Sequence, residues 1–265
     1  MNHTDFLEHN KLSNLHDGKT VFFCKTDYLL QDFETITKLD NEVVLITGNS
    51  DYPITDQIVS LAPKNIKKWY AVNALTHSNM IEPIPLGLEN QYFSTRDGHG
   101  IGYPDRASLK ESILQNLDKN YIPTQFLYCN FNITTNPAYR QKIYDMAKQS
   151  KYITLDNPTL TLYDMFQKIQ DHKMVLCPAG NGIDTHRLWE VLYSHKIPVT
   201  IKTGDYKIYK LYKELPIIIL DNIENLLNYD LIKNKYDNII NKQYNLEILN
   251  SFYWKEKILY DTKSN

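Results

Sequence analysis

This sequence predicts an α/β protein of two Rossmann-like domains, with parallel sheets facing a central cleft. Three observations point to it. Short apolar runs alternate with stretches of helical periodicity along the chain. The connections between them are brief and the apolar runs nearly continuous, as in parallel strands buried under crossover helices. The alternation also starts afresh near Asn120, which predicts domains at 1–120 and 121–265. In such sheets a ligand lies at the carboxyl ends of the strands.

In the first half, Val21–Lys25 (VFFCK) reads as a buried strand, followed by a helical pattern over Asp27–Leu39. Glu42–Thr47 (EVVLIT) is a second strand and runs into the polar turn GNSDYP. Thr55–Leu61 is a short helix and Lys68–Val72 (KWYAV) a third strand. Ile81–Leu88 (IEPIPLGL) alternates like a strand but carries two prolines, which cannot donate to a ladder, so an irregular or edge strand fits best. Gln91–Arg106, rich in Gly, Asp and Arg, is a loop, and Ser108–Asn120 an amphipathic helix.

The second half opens with the strand Gln125–Phe131 (QFLYCNF) and the polar turn NITTNP, where Pro137 is placed to begin a helix over Ala138–Gln149. Tyr152–Leu155 is the next strand and Leu162–Asp171 the next helix. Then come the apolar run Met174–Cys177, a loop with Gly180 and Gly182, a helix carrying Arg187 and Glu190, and the strand Ile197–Ile201. Ile217–Leu220 is a last strand, Ile223–Asn228 has a helical pattern, and the tail Leu231–Leu259 has helical spacing with the aromatic cluster Phe252, Tyr253 and Trp254.

Composition narrows the function. At 265 residues and 42% hydrophobic, the chain can bury sizeable cores. A net charge of −2 gives no general attraction to nucleic acid or to anionic membranes. The three cysteines, Cys24, Cys129 and Cys177, lie in or beside apolar runs with no C-x-x-C spacing, and read as buried free thiols in a reducing compartment. No apolar signal region opens the chain, and no stretch approaches the roughly 20 apolar residues that span a bilayer. These features predict a cytoplasmic protein, in the host cytoplasm if the chain is viral.

The segment Met174–Ile201 carries the most chemistry. Strand, glycine loop, helix and strand make a βαβ unit whose loop lies at a helix N-terminus, where backbone N–H groups and the helix dipole suit an anion such as phosphate. Arg187 and Glu190, three apart, share one helix face near that loop. An arginine suits a diphosphate, and a carboxylate can accept both hydroxyls of a ribose. The only arginines are Arg96, Arg106, Arg140 and Arg187. Thr185 stands where G-x-G-x-x-G needs its third glycine, and no G-K-[ST] follows, which argues against an NAD enzyme and a P-loop ATPase. Separately, the same residues also fit a tight turn, a surface salt bridge and a solvated helix face.

Asn130–Arg140 (NFNITTNPAYR) is a second anion candidate, with Thr134, Thr135 and Asn136 near exposed donors and Arg140 on the first helical turn. Ordinary helix capping fits it equally well. Gly48–Asp51 is the third. Ser50 lacks the closing glycine of a nucleophile elbow. Asp51, at a strand's carboxyl end, is placed to act as a general base, though an Asx turn also explains it. Glu89 is the competing carboxylate and His77 a third candidate. No D-x-D triplet occurs, Asp97 and His99 form an isolated pair, and His172, His186 and His195 share no metal-ligand spacing.

CPAGNGIDTHRLWEVLYSHKIPV, Cys177–Val199, resembles the signature of exostosin-like glycosyltransferases, C-P-x-G-x-G-x-[DS]-[ST]-x-R-x-[WF]-E-x-L leading to I-P-V. Ile84–Asn90 and Phe131–Arg140 are weaker echoes of the same family. The resemblance implies a GT-B architecture, with an acceptor domain at 1–120 and a nucleotide-sugar domain at 121–265. It implies inverting transfer from a nucleotide sugar, a UDP-sugar first, to a glycan, glycoprotein or lipid-linked acceptor. No metal or permanently bound cofactor is implied. Arg187 would neutralise the departing diphosphate and Glu190 hold the ribose, while Gly180, Asn181 and Gly182 admit the phosphates and sugar. Arg140 and Thr185 complete the expected donor site. The family's Gly-Cys before Ile-Pro-Val is here His195-Lys196, which puts the turn at that point in question. The alternatives are a fucosyltransferase-like GT-B enzyme using GDP-fucose and a catalytically silent nucleotide- or glycan-binding module.

Overall fold

The computed structural model describes residues 5–91 and 104–263. They fall into two compact units. One runs up to Leu109 and takes in Tyr206–Leu211 and the segment from Leu246 onward; the other comprises Lys110–Asp205 and Tyr212–Asn245.

The first unit begins with α1 (His9–Ser13), β1 (Val21–Lys25), α2 (Leu29–Ile36) and β2 (Val43–Gly48). It continues with β3 (Ile54–Thr55), α3 (Asp56–Ser60), β4 (Ile66–Ala71), β5 (Ala74–Leu75) and β6 (Ile81–Pro83). Strands β1, β2, β4 and β6 form a parallel sheet in that order, with β3 and β5 as a separate parallel pair. β6 takes the edge position that its prolines require. Residues alternate across the strands. Phe22, Cys24, Val43, Leu45, Trp69 and Ile81 share one face with Leu29, Phe33 and Ile36, which follow one another at helical spacing along α2. Phe23, Val44, Ile46 and Tyr70, on the opposite face, are just as buried.

The second unit begins at Lys110, within α4 (Pro104–Asn116), and α4 itself begins before the expected loop ends at Arg106. Arg96, Asp97 and His99, with most of that expected loop, lie outside the described residues. The elements are β7 (Gln125–Cys129), α5 (Pro137–Ala147), β8 (Ile153–Leu155), α6 (Leu162–Asp171), β9 (His172–Leu176), α7 (His186–Tyr193) and β10 (Ile197–Ile201). After α8 (Ile208–Lys213), most of which belongs to the first unit, they continue with β11 (Ile218–Leu220) and α9 (Tyr229–Ile240), and the pattern expected over Ile223–Asn228 is a 3-10 helix at Ile223–Leu227. The sheet is parallel throughout, in the order β11-β10-β9-β7-β8. Leu127, Cys129, Met174, Leu176, Val199 and Leu220 make one core with Ile143 and Ala147 of α5, Leu226 of the 3-10 helix and Ile232 of α9. The other face is covered by α6, whose Phe166 and Ile169 are fully buried.

The tail departs from expectation. Rather than joining the second domain, α10 (Ser251–Lys263) packs on the first unit, against β2 and α1. Trp254 meets Tyr70 edge-on at 6.4 Å, and the Tyr70 hydroxyl donates to Asp261 Oδ2 at 2.6 Å. Lys257 pairs with Glu82, and Asn250 bridges to Phe6. A single cut at residue 120 therefore does not describe how the chain packs. All three cysteines are free and buried. Among the described residues no helix is long and apolar enough to cross a membrane.

Candidate functional site

Topology singles out one end of the second sheet. In order of appearance its strands lie 2-1-3-4-5, so the direction of winding reverses between β7 and β9. Open α/β sheets bind ligands outside the carboxyl ends of their strands at such a reversal. The loops that leave β7 and β9 there are Asn130–Asn136 and Cys177–Thr185, the two segments singled out by sequence. The β1-β2-β4-β6 order contains no reversal.

Polar contacts tie these loops together. Asn136 Nδ2 donates to the Gly180 carbonyl at 3.0 Å. Arg140, buried on the first turn of α5, donates Nε to Ala179 O (2.9 Å), Nη2 to Pro178 O (3.1 Å) and Nη1 to Asn132 O (2.7 Å). Its guanidinium also lies over the Phe131 ring. Burial, reinforced by the charge of Arg187, pulls its pKa down to about 10. Its hydrogen-bond partners among the described residues are all carbonyls, so its charge is solvated but not neutralised. A Cβ on Gly180 would come within 2.9 Å of Arg140 Nη2. A side chain there would push the guanidinium away from its carbonyl partners.

The α7 pair is built differently from the expectation. Arg187 donates Nε to Glu190 Oε2 at 3.0 Å, Nη1 to Asn130 O at 2.7 Å and Nη2 to Met165 Sδ at 2.8 Å, with 22% of its side chain exposed. Glu190 is 3% exposed, and its second oxygen accepts from Lys110 Nζ at 2.5 Å. Lys110, on α4, is itself 2% exposed. Burial pushes the Glu190 carboxyl up, but Lys110 and Arg187 overcome that and hold it at about 2. A carboxylate with both oxygens engaged and almost no exposed surface is not presented to a ribose. Lys110 and Arg187 thus share the carboxylate of Glu190, and the charge of Arg140 acts on Arg187 beside them.

Asp184 fixes the glycine loop to α7. Its buried carboxylate accepts from Trp189 Nε1 (2.9 Å), from the Tyr212 hydroxyl (2.8 Å) and from its neighbour, Thr185 N (2.9 Å). Gly182 is buried and accepts from Gly180 N at 2.9 Å, while Asn181 stands exposed at the loop tip. Thr185 is the N-cap of α7, but its side chain accepts nothing from the first turn. At the far end of α7, His195 adopts φ 56° where the family pattern has glycine. His195 N bonds to Leu192 O and Lys196 N to Val191 O, the paired bonds of a Schellman turn. The turn is therefore kept without its glycine.

The first-half candidates are spread along one unit. Asp51 is exposed on a bend after β2, two residues beyond Asn49, which is in the left-handed conformation (φ 53°). Glu89 is 13% exposed and lies 3.2 Å from the Arg106 guanidinium. His77 is exposed, its backbone N–H donating to Asp56. The Gly48–Asp51 turn and the Leu88–Gln91 segment are linked by a buried asparagine chain: Asn90 Nδ2 donates to Asn49 Oδ1 (2.9 Å) and Asn49 Nδ2 to Asn10 Oδ1 (2.7 Å). Among the described residues no group of three or more His, Cys, Asp or Glu side chains could hold a metal ion.

No family model matches the chain, and no curated protein matches it. Among solved structures it is similar to one titled "Crystal Structure of alpha1,3-Fucosyltransferase with GDP-fucose", at a TM-score of 0.41 and 14% identity. That similarity covers 84% of this chain and 78% of the other.

Three contributors escape the motif reading. Asp184 falls inside the signature, but its neighbours Trp189 and Tyr212 are what give it a role. The asparagine chain joins residues 80 positions apart and leaves no local signal. Lys110 did leave one. It falls on the buried stripe Ala107, Lys110, Ile113 and Leu114, where a lysine is out of place unless paired.

Proposed function

We propose that the protein is an inverting glycosyltransferase of GT-B architecture, moving a sugar from a nucleotide sugar, a UDP-sugar first, to a glycan, glycoprotein or lipid-linked acceptor. The observation that carries the proposal is the surplus of positive charge at the β7/β9 reversal. Arg187 and Lys110 share the carboxylate of Glu190, and Arg140, held by carbonyl oxygens alone among the described residues, adds a further positive charge beside Arg187. Buried charge is stable only when compensated, and a diphosphate supplies two or more negative charges with oxygens for both guanidinia.

In this reading the acceptor hydroxyl gives its proton to a carboxylate, Asp51 first and Glu89 second. Its oxygen then attacks the anomeric carbon. The bond from that carbon to the diphosphate breaks on the opposite face, and the electron pair leaves with the diphosphate. Arg187 and Arg140 stabilise the charge that develops there, so no metal is required. Gly180, Asn181, Gly182 and Thr185 frame the phosphates. Glu190 acts through Arg187, holding it in place, rather than by taking the ribose hydroxyls itself.

The test is a thermal-shift series with UDP, GDP, CMP and ADP and their sugars. A true ligand at a hundredfold excess over Kd stabilises by roughly 2.7 kcal/mol. Stabilisation by none of them would sink the proposal. Stabilisation without donor hydrolysis or transfer would assign a silent binding module.

A further inference from the structure

We propose that Lys110 is the positioning residue that sets the charge of this anion site, by neutralising Glu190 so that Arg187 keeps its charge for the ligand. The inference rests on the phosphate reading of the site given above. Its ground is the buried chain Lys110 Nζ–Glu190 Oε1, 2.5 Å, and Glu190 Oε2–Arg187 Nε, 3.0 Å. Without Lys110, Arg187 and Glu190 make a neutral pair, and the field at the loop ends is that of a dipole. With Lys110, the chain carries a net positive charge whose only partly exposed member is Arg187.

The geometry also explains why both cations are needed. Glu190 is three residues beyond Arg187 on the same face of α7, so it orients the guanidinium toward Asn130 and the loop after β7. A carboxylate close enough to orient an arginine also cancels its charge. Lys110 comes from α4, outside the βαβ unit, and removes that cancellation without touching the ligand position. It approaches Glu190 from the oxygen that Arg187 does not use. Alone among these cations it has almost no surface, so its effect on a ligand passes through Glu190.

The role separates from a merely structural one by its pH dependence. In Lys110→Met, Glu190 stays buried but loses the strongest of the positive groups that act on it, leaving Arg187 and His186, so it takes up a proton more readily. Once protonated it no longer cancels Arg187. The ratio of mutant to wild-type Kd should then fall toward one on acidification, and taking the ratio removes the ligand's own titration.

The experiment measures binding of inorganic pyrophosphate, UDP and GDP by calorimetry between pH 5 and 8. The proteins are wild type, Lys110→Met, Lys110→Arg and Lys110→Met/Glu190→Gln. Lys110→Met should bind at least tenfold more weakly at pH 8, with the deficit shrinking as pH falls. Lys110→Arg and the double variant, which has no carboxylate to cancel Arg187, should recover most of the affinity. Binding by Lys110→Met that equals wild type, or a deficit that ignores pH and persists in the double variant, overturns the role of Lys110. If Lys110→Met does not fold, the double variant decides: wild-type-like binding supports the role, weak binding overturns it. Failure of the wild type itself to bind any of the three probes overturns the phosphate reading, and the role of Lys110 falls with it.

Discussion

At the scale of single residues, the site divides into groups that face a ligand and groups that set the first kind up. Arg187 belongs to the first. Arg187→Ala should weaken UDP or GDP binding at least tenfold, because charge-assisted hydrogen bonds contribute about 1.5–3 kcal/mol each. Its thermal midpoint should stay within a few degrees, since Lys110 still compensates Glu190. Normal nucleotide binding by this variant would move the pocket elsewhere. Glu190 belongs to the second group, and its effect is read in stability. Its folded pKa, about 2, lies below the ordinary value of 4.5, so the unfolded chain takes up the proton first as pH falls. The stabilisation is therefore complete above pH 4.5 and is lost as pH drops toward 2. Its size is on the order of a few kcal/mol, because each tenfold difference in proton affinity between the folded and unfolded chain is worth about 1.4 kcal/mol. Denaturant titrations should show the wild type losing more stability over this range than Glu190→Gln, which keeps only the losses due to other carboxyls held low, such as Asp17 and Glu82. Of these residues, sequence spacing singled out Arg187, Glu190 and Arg140. It could not show that Glu190 is sealed between two cations, because the second cation lies 80 positions away.

At the scale of elements, the helix between β9 and β10 shows how local chemistry and tertiary context divide the work. Its hydrophobic side, Leu188, Trp189, Val191 and Leu192, is buried, and Asp184 secures its start. Its end relies on His195 in a left-handed turn, which costs an L-residue roughly 1–2 kcal/mol relative to glycine. His195→Gly should therefore be more stable than His195→Ala by about 1 kcal/mol, a comparison that removes the imidazole from both sides. Equal midpoints in urea would show that the turn relaxes when the histidine is lost. Strands and longer helices were legible because each has several residues of one period and both sheets bury their strands. The short helices α1 and α8 and the two-residue strands β3 and β5 were not, since two turns or fewer leave too few positions to show a period. The 3-10 segment after β11 read as α-helical because its start signals are those of any helix. Asn222 and Asn225 form a reciprocal capping box there.

At the scale of the molecule, each sheet must find cover for two apolar faces. In the second unit the crossover helices supply it, and alternation along the chain made that unit legible in order. In the first unit, the face made by Phe23, Val44, Ile46 and Tyr70 is covered by α1 and α10, the latter about 200 residues downstream of those strands. Nothing in local periodicity announces such a pairing, which is why the tail read as part of the second domain. The tail's aromatic cluster contained the clue only in part: Trp254 is buried, whereas Phe252 is 61% exposed. Trp254→Ala should accordingly act on the first unit. Removing a buried tryptophan costs about 3–5 kcal/mol, and here it also deprives Tyr70 of its ring contact. Hydrogen exchange should show that loss in the amides of β1, β2 and β4, with β7, β9 and β10 keeping their protection because their core is closed by α5, α6 and α9. An equal loss in both sheets would mean that α10 supports the whole chain as one cooperative unit. Protection unchanged in both would mean that the opposite face of the first sheet is held by α1 alone.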